Sequence, residues 1–285
     1  MYRINNFIFK IDNEDHIPVP DNMKKFEVEG DYSGYRYEIN VVDEINVVEK
    51  TFVFNKNNIK IDVNNGLEKR YLNIIGDNCC YGVSEEINQN YTKISVHKDY
   101  VKMMNIDTVF VSLLSLERRM YQLHQYILHS AYVIVDDQAI LFTAPSGTGK
   151  STQAALWEKY RCARVINGDR TLISKKDNQY YACGWPICGS SQICYNETYP
   201  ISCIVVLSQG KDNHIEKLDY KTSFKKLLSE ITINYHNSHF VNEAMNFIDD
   251  LISHVHIYHL TCDISEDAVR CLEKQLEEEK HGCFR

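Results

Sequence analysis

A glycine-rich stretch in the middle of the chain constrains the fold more than any other part of the sequence. From Ala144 the residues follow the pattern A-x-x-x-x-G-K-S, the phosphate-binding loop motif with Ala in place of its first Gly. The apolar run Ala139 to Phe142 precedes the loop and predicts a short buried strand, and strong helix formers from Gln153 to Trp157 follow it. Strand, loop and helix in this order are the context that the motif requires.

The composition of the loop predicts a binding site for the phosphates of a nucleotide. Gly147 and Gly149 lack a Cβ, so the backbone N–H groups can turn toward one anion, and the following helix adds its positive N-terminal end. Lys150 is placed to reach the β- and γ-phosphate oxygens, and the hydroxyl of Ser151 is a candidate ligand of Mg²⁺. The alternative is a glycine-rich turn that binds nothing. The residues predicted to bind the nucleotide are Pro145, Ser146, Gly147, Thr148, Gly149, Lys150, Ser151 and Thr152.

Net charge and apolar patterning narrow the class of protein. Hydrophobic residues make up 44% of the chain and charged residues 25%, the ordinary range for a folded globular protein. The 31 basic residues are outnumbered by 39 acidic ones, and the net charge of -8 argues against a sequence-independent nucleic-acid binder. The sequence shows no signal-peptide pattern and no apolar run long enough to cross a bilayer. Although the chain has 10 cysteines, the lack of a signal-peptide pattern predicts a cytoplasmic protein with reduced thiols. We expect neither a nucleic acid nor a membrane as partner.

Alternating apolar residues in the first hundred positions predict strands. Apolar side chains recur at every second position in Phe7 to Ile11, Tyr35 to Val41 and Ile59 to Val63. Because many of their neighbours are polar, the pattern indicates a sheet with one wetted face, and we expect an antiparallel β module over residues 1–106. Two functions remain open for it. It is either a structural domain or a dimerising one, and only the latter would make the protein a homo-oligomer. Otherwise it is a platform that presents a substrate peptide by edge-strand addition.

The hydrophobic period becomes helical after the β module. The spacing of apolar residues from Asp107 to His129 predicts one long helix, so we place the domain boundary just before it and assign residues 107–285 to a second domain. Tyr132 to Val135 and Ala139 to Phe142 then predict a hairpin that leads into the glycine-rich loop. A buried strand and three amphipathic helical patterns follow further along the chain. The fold class expected for the whole chain is α+β.

A short strand after the loop helix ends in an acidic residue. Arg164 to Ile166 predicts this strand, and Asn167-Gly168-Asp169-Arg170 follows it. An acidic group at the end of a strand beside a phosphate-binding loop can hold Mg²⁺ or take a proton from a nucleophile. Asp169 is therefore the leading catalytic candidate. The alternative is a turn-forming Asp, which this tetrapeptide also favours.

Six segments, taken in order, distinguish this sequence from an isolated phosphate-binding loop. They are His129-Ser130, the hairpin, Leu141 to Thr152, Leu156-Trp157, Asn167 to Arg170 and Gly184-Trp185-Pro186. Over about residues 125–215 this ordered set resembles the HPr kinase-like proteins, in the P-loop group that also contains ATP-dependent phosphoenolpyruvate carboxykinase. The resemblance implies a mixed α/β P-loop domain. It also implies an ATP- and Mg²⁺-dependent phosphotransferase whose partner is a peptide or protein that carries the acceptor serine.

The resemblance implies roles for individual residues. Lys150 and the loop N–H groups would neutralise the phosphoryl group during transfer. Asp169 would accept the proton of the serine hydroxyl and would hold Mg²⁺ together with Ser151. Arg170 would steady the charge that develops.

The sequence departs from the family pattern at two places. The strand after the loop helix ends in two aspartates in the family, whereas Gly168 stands in place of one of them here. Three alternatives follow: Asp169 serves both needs, another group such as His129 assists it, or the protein binds nucleotide without turning it over quickly. The last alternative describes a nucleotide-sensing module that binds a partner only when it holds ATP.

The second departure concerns the acceptor. The Arg-containing signature of true HPr kinases is not visible, and Gly184-Trp185-Pro186 occupies that region, so HPr itself is not the expected substrate. Stand-alone relatives resemble kinases found with ribosomally made, modified peptides. We therefore expect a peptide serine as the acceptor.

Overall fold

The computed structural model describes residues 1–30, 34–47, 51–56, 58–76 and 79–282. These residues form two compact units, Met1–Leu123 and His124–Arg285. The first unit contains strands β1 (Tyr2–Ile4), β2 (Phe7–Asp12), β3 (Tyr35–Val42), β4 (Phe54–Lys56), β5 (Ile59–Asn64), β6 (Leu67–Asn73), β7 (Cys80–Asn88) and β8 (Tyr91–His97), and helices α1 (Asp21–Lys24), α2 (Asp107–Leu114) and α3 (Leu116–Gln122). A 3-10 helix, Lys98–Asn105, precedes α2.

The described strands of the first unit form one sheet in the order β1-β2-β3-β8-β7-β6-β5-β4. The alternation predicted from the sequence is confirmed, since Phe9, Tyr37 and Ile94 are buried on their strands. The prediction of a purely antiparallel module is wrong, because β3 runs parallel to both β2 and β8. Parallel neighbours need a crossover connection instead of a tight turn, and the chain between β2 and β3 includes α1.

An ion-pair cluster joins the sheet of the first unit to α3. In this cluster Glu86 accepts a hydrogen bond from Nε of Arg118 at 2.6 Å and also pairs with Arg119. Three positive and three negative side chains take part, so their charges balance, which is the condition under which charged groups can be buried. The members are Arg70, Arg118, Arg119, Glu68, Glu86 and Glu117.

The prediction of one long helix between Asp107 and His129 is wrong. The chain forms α2 and α3, and Ser115 between them has a φ of 51°, which breaks the helical hydrogen-bond ladder. The hydroxyl of Tyr37 donates to the carbonyl of Leu114 at 2.8 Å, so the sheet satisfies a carbonyl at the break. Tertiary contacts therefore override the local helical period here.

The boundary between the two compact units lies after Leu123 and not before Asp107. The reason is physical: Arg118 and Arg119 of α3 form ion pairs with the sheet of the first unit. The division into domains 1–106 and 107–285 stays a prediction about which parts fold independently.

The second unit combines a mixed sheet with helices. Its elements are β9 (Tyr126–Leu128), β10 (Ser130–Val135), β11 (Gln138–Thr143), α4 (Lys150–Arg161), β12 (Arg164–Asn167), β13 (Thr171–Lys176), β14 (Gln179–Cys183), β15 (Thr198–Gln209), β16 (His214–Lys217), α5 (Tyr220–Glu230), α6 (Ser238–His254), β17 (His256–Cys262) and α7 (Glu266–Gly282). The main strand order is β12-β10-β11-β15-β14-β13-β9, and β17 pairs with β15 and β16.

The element order of the second unit confirms the predicted hairpin, the strand, loop and helix around the glycine-rich motif, and the three later helices. Both units carry mixed sheets and helices, which is consistent with an α+β fold. Within the described residues, no helix combines the length and the apolar composition needed to cross a membrane.

Four strands of the second unit end at one edge of the sheet. β15 runs parallel to β11, and β17 runs parallel to β15. β12 points the same way, because β11 and β12 are both antiparallel to β10, which lies between them. The segments that leave these strand ends are the glycine-rich loop after β11, Asp169 after β12, and Asp263 after β17, with Ser208 and Gln209 closing β15.

The two faces of this sheet have different environments. Phe142, Val205 and Leu207 belong to the apolar core that also contains Trp157 of α4 and Leu272 of α7. Side chains alternate between the faces of a strand, and residues paired across parallel strands point to the same face. Thr143 pairs with Val206, so these two residues and Ser208 lie on the face away from α4 and α7.

Removing the carboxylate of Glu86 should destabilise the first unit strongly. In Glu86→Ala, Arg118 and Arg119 keep their buried charges without this partner, and we expect the free energy of unfolding to fall by about 3 kcal/mol or more. Urea denaturation followed by far-ultraviolet circular dichroism measures the loss. Both tryptophans, Trp157 and Trp185, lie in the second unit, so their fluorescence follows that unit separately.

The matched control is the neighbouring residue, Glu85. Its half-exposed side chain pairs with Lys69 at 2.8 Å, and Glu85→Ala should cost less than about 1 kcal/mol. Equal losses in the two variants would show that the buried cluster has no special role in stability.

Candidate functional site

The glycine-rich loop has the backbone conformation that its sequence predicts. Gly147 and Gly149 have φ angles of 81° and 121°, a region that residues with a Cβ rarely adopt. No described atom lies within 4 Å of a Cβ built at either position, so backbone conformation and not crowding selects glycine there. The first helical bond of α4 runs from the N–H of Gln153 to the carbonyl of Gly149 at 2.9 Å. The loop therefore leads directly into a helix N-terminus, where N–H groups are available to an anion.

Lys150 folds back toward the end of β11. Its ammonium group donates to the carbonyl of Ala144 at 2.8 Å, and the side chain is almost fully buried. Burial lowers the pKa of Lys150, while the negative charges of Asp169 and Glu230 act in the opposite direction. A bound phosphate would favour the charged ammonium in the same way as these carboxylates.

Asn167 organises the turn that carries Asp169. Its amide nitrogen donates to the carbonyls of Trp185 and Ile187 at 2.8 and 3.0 Å. Its amide oxygen accepts from the N–H groups of Asp169 and Arg170, both at 2.9 Å. The fully buried side chain thus uses two donor and two acceptor positions, which is the full capacity of an Asn amide. Asn167 thereby ties the Asp169 turn to the loop at Trp185.

The Asp169 turn lies directly beside the glycine-rich loop. The hydroxyl of Ser151 donates to the carbonyl of Gly168 at 3.0 Å, which connects the first turn of α4 to the residue before Asp169. Gly189 has a φ of 58°, and a Cβ built on it would lie 3.0 Å from the Cβ of Asp169. The side chain of Asp169 is 28% exposed, so a group from outside can reach it.

His129 links Asp169 to a second carboxylate, Glu230. Nε2 of His129 lies 3.2 Å from Oδ1 of Asp169, and Nδ1 lies 3.0 Å from Oε2 of Glu230. The backbone supports this arrangement, because the N–H of His129 donates to the carbonyl of Glu230 at 3.0 Å. Both ring nitrogens therefore face carboxylate oxygens, and only the doubly protonated imidazolium can donate to both at once.

Arg170 also contacts Asp169. Its Nε lies 3.2 Å from Oδ2 of Asp169, and its Nη1 donates to the hydroxyl of Thr232 at 3.3 Å. The hydrogen bond from His129 lowers the pKa of Asp169, and the charge of Arg170 acts in the same direction against burial, which raises it. Asp169 is therefore a carboxylate at neutral pH and can accept a proton.

Gly168 occupies the position where the resembling family has another aspartate. The residue is buried, and a Cβ built on it would overlap the Oγ and Cβ of Ser191. Ser191 is itself fixed, because its hydroxyl donates to the carbonyl of Cys188 at 2.7 Å. The loop from Cys188 to Ser191 thus fills the space that a side chain at position 168 would need.

The structure brings most of the predicted site residues together. Lys150, Asp169, Arg170 and His129 are connected through the contacts described above, and Ser151 adjoins the Asp169 turn. Within the loop, the N–H of Thr148 donates to the carbonyl of Pro145 at 3.3 Å. The side chains predicted to surround the nucleotide are exposed or half-exposed at Pro145, Ser146, Thr148 and Thr152.

Three residues near the site were not predicted from the sequence: Glu230, Asn167 in its organising role, and Gln209. The side-chain amide of Gln209 donates to the carbonyls of Gly147 and Thr148 at 3.4 and 3.2 Å, which ties β15 to the loop. Only Glu230 left a usable signal. It ends helix α5 with no basic residue in the last turn, and an acidic group is unfavourable at the negative end of a helix.

The oxygen donors beside the loop suit a magnesium ion that also binds phosphates. Mg²⁺ in nucleotide sites takes one or two protein oxygens together with phosphate and water oxygens. The hydroxyl of Ser151 and the carboxylate of Asp169 fit that requirement. No group of three or more His, Cys, Asp or Glu among the residues described here could hold a metal ion by itself. A divalent ion held by Ser151 and Asp169 would take its remaining ligands from phosphate and water oxygens.

The fold and the loop together define an α+β protein in which a glycine-rich loop joins a strand to a helix beside an acidic turn. A family model described as "SynChlorMet cassette protein ScmC" matches residues 94–276. Because this match covers well over half of the chain, the protein belongs to that family.

Comparison with solved structures gives a weak likeness. The structure titled "Structure of the Hpr(Ser) kinase/phosphatase from Coxiella burnetii" is 11% identical to this chain and has a TM-score of 0.31. The matched region covers 55% of this chain and 97% of that one. None of the curated proteins matches the chain.

The packing at Gly168 predicts that a side chain is not tolerated there. In Gly168→Ala the new methyl group meets Ser191, and we expect the free energy of unfolding to fall by about 1–3 kcal/mol. Urea denaturation followed by the fluorescence of Trp185, which lies in the adjoining loop, measures this loss. Ser191→Gly should restore part of it in the double variant, and a purely additive double-mutant cycle would contradict the proposed overlap.

Proposed function

We propose that this protein is an ATP- and Mg²⁺-dependent phosphotransferase that phosphorylates a serine hydroxyl on a peptide or protein. The observation that carries the proposal is the convergence of Lys150 and Asp169 at one edge of the sheet, beside a glycine-rich loop that opens a helix. The resemblance of the ordered motifs to HPr kinase-like proteins supports the same reaction. The weak structural likeness adds no argument.

The first task of the site is to hold the phosphates. N–H groups from Ser146 to Ser151 bind the phosphate oxygens, and Lys150 neutralises their charge. Phosphoryl transfer needs little covalent chemistry from the protein, so positioning and charge stabilisation supply most of the rate enhancement. Mg²⁺, held by Ser151 and Asp169, would lower the negative charge on the phosphates further.

The second task is to accept a proton from the serine hydroxyl. Asp169 suits this task, because its carboxylate is ionised and partly exposed. His129, which also contacts Glu230, holds Oδ1 of that carboxylate, and Arg170 holds Oδ2. Glu230 cannot act as a direct ligand in place of the aspartate that the resembling family has at position 168, because the imidazole of His129 lies between the carboxylates of Glu230 and Asp169. The carboxylate of Glu230 lies 3.0 Å from Nδ1 of the imidazole and fixes the orientation of the ring.

A peptide or protein acceptor fits the exposure of the site. Asp169 and Arg170 have side chains that are 28% and 34% exposed. The hydroxyl of a flexible peptide can reach such a carboxylate without opening of the core. Arg170 stands next to Asp169, where it can steady charge on the transferring group.

A non-catalytic nucleotide sensor is the second candidate, and two observations favour it. Gly168 removes one carboxylate, and both oxygens of Asp169 are engaged by His129 and Arg170. Incubation with γ-labelled ATP, Mg²⁺ and acceptor peptides separates the two functions. Label on a peptide serine supports the kinase, whereas tight ATP binding without consumption supports the sensor.

Lys150→Ala tests the phosphate site. Because the variant loses the ammonium that neutralises the transferring group, we expect phosphoryl transfer to fall at least about a hundredfold, with an unchanged circular dichroism spectrum. Lys159→Ala is the matched control on the same helix, since the Lys159 ammonium lies over the ring of Tyr160 and away from the loop motif. Full turnover in Lys150→Ala would refute the assignment.

Asp169→Asn tests the proton acceptor. The amide keeps the size of the side chain but cannot take a proton, so turnover should drop about a hundredfold or more while ATP affinity changes only a few-fold. Asp177→Asn, at an exposed turn, is the control. Loss of ATP affinity together with loss of Mg²⁺ dependence would instead assign Asp169 to metal binding.

A further inference from the structure

Helix α5 carries three exposed lysines whose ammonium groups pair with no other residue of the described chain. They are Lys221, Lys225 and Lys226. Other lysines of the second unit do have partners, such as Lys175, whose ammonium lies 2.5 Å from Asp250. One exposed lysine is ordinary. Three on one short helix are a concentrated positive charge in a chain whose net charge is -8.

The three lysines occupy the side of α5 that faces solvent, which we call the lysine face. Leu227, on the opposite side of the helix, is fully buried. Because positions four apart are neighbours on a helix, Lys221 and Lys225 follow each other along one row of the lysine face. Lys226 lies on a second row, one turn before Glu230 at the end of the helix.

This placement of charge works against the stability of the helix itself. A helix is positive at its N-terminus and negative at its C-terminus, whereas Lys221 lies in the first turn of α5 and Glu230 ends it. Lys221 and Lys225 also repel each other across one turn. The carboxylate of Asp219 offsets part of this cost at the N-cap, where it accepts from the N–H and the hydroxyl of Thr222 at 3.0 and 2.6 Å.

The neighbouring helix does not neutralise the lysine face. α6 packs against α5 and carries three acidic residues and no lysine or arginine, but each of its carboxylates has another partner. Asp249 accepts a hydrogen bond from the hydroxyl of Tyr220 at 2.5 Å. Asp250 contacts Lys175, and Glu243 lies 3.8 Å from a histidine nitrogen. The negative charge that would match the lysine face must therefore come from outside the described chain.

The C-terminal end of α5 is part of the candidate site. Glu230 lies 3.0 Å from the imidazole of His129, whose other nitrogen contacts Asp169. Two residues after the helix ends, the hydroxyl of Thr232 accepts a hydrogen bond from Arg170 at 3.3 Å. The lysine face thus continues directly into the group of side chains around the proposed proton acceptor.

We propose that the lysine face is a docking surface for an acidic segment of the peptide that carries the acceptor serine. The inference rests on the proposed function, because it specifies the chemistry of that peptide. Charge complementarity selects the occupant: three unpaired ammonium groups bind aspartate and glutamate side chains and repel basic ones. Each exposed pair contributes little alone, so the preference depends on several acidic residues together and weakens with salt.

The dimensions of α5 give the spacing of the acidic residues. Lys226 and Lys221 precede Glu230 by four and nine residues, which places them roughly 6 and 14 Å from it along the helix axis. The imidazole of His129 spans the further gap to Asp169. An extended peptide rises roughly 3.3 Å per residue, so acidic side chains about four to seven positions from the serine would meet the lysine face.

Two synthetic peptides with the same central serine test the inference. The acidic peptide carries glutamates about four to seven positions from the serine on both sides, and the neutral peptide carries glutamines there. Fluorescence anisotropy measures their binding to the full chain with Mg²⁺ and a non-hydrolysable ATP analogue. We expect the acidic peptide to bind at least about tenfold more tightly, and this advantage should shrink several-fold between about 50 and 250 mM salt.

A triple variant assigns this preference to the lysine face. Lys221→Gln, Lys225→Gln and Lys226→Gln together should remove the advantage of the acidic peptide. Because the three ammonium groups have no partner in the described chain, the circular dichroism spectrum and the urea midpoint should not fall. Glutamate at the same three positions should reverse the preference, so that a peptide with lysines in place of the glutamates binds most tightly.

The matched control removes the same amount of charge from exposed lysines outside α5. It combines Lys102→Gln, Lys159→Gln and Lys176→Gln. This variant should keep the full advantage of the acidic peptide. An equal loss in both triple variants would show an effect of net charge alone and would overturn the inference.

The remaining outcomes separate the docking surface from the proposed function. Equal binding of the acidic and neutral peptides, or equal rates of serine phosphorylation in both, overturns the inference and leaves the kinase standing. Binding of the acidic peptide that depends on the three lysines, with no phosphate transferred from ATP, supports the docking surface and overturns the kinase. An oligothymidylate that binds the lysine face more tightly than the acidic peptide overturns the choice of a peptide as occupant.

Discussion

The candidate site depends on a constraint of strand direction. β11, β12, β15 and β17 all end at the same edge of the sheet, because the first two flank an antiparallel strand and the last two run parallel to β11. The backbone leaves that edge in four places, and each exit carries a polar segment. The glycine-rich loop and the Asp169 turn meet there although their strands are not neighbours. The contact of the Lys150 ammonium with the carbonyl of Ala144, just after β11, and the contact of the Gln209 amide with the loop both lie at that shared edge.

The sequence predicted those parts of the site that depend on local backbone geometry. The motif from Ala144 to Ser151 dictates its own conformation, since only glycine suits the φ angles at Gly147 and Gly149. Asp169 was found because it lies in the turn that follows a recognisable strand. Glu230 could not be found in this way, because it reaches His129 through tertiary packing between residues about a hundred positions apart. The long helix after Asp107 failed for a related reason: a helical period does not reveal a break that packing against the sheet stabilises.

The first unit shows the same limit on a larger scale. Alternating apolar residues predicted its strands, but a period of two does not tell whether neighbouring strands run parallel, and β3 is parallel to both of its neighbours. The charges of α3 gave no sign that Arg118 and Arg119 would be buried. Buried arginines are tolerated only with matching carboxylates, and Glu68 and Glu86 come from strands far away in the sequence. Pairing of this kind becomes visible only when the fold is known.

The loop that covers Gly168 has a consequence for how this chain could change over generations. An aspartate gained at position 168 by one substitution would destabilise the protein, since Ser191 already occupies the volume that its side chain needs. The covering loop from Cys188 to Ser191 would have to change as well. Two sequences that differ by a single carboxylate are therefore separated by a path with at least two steps.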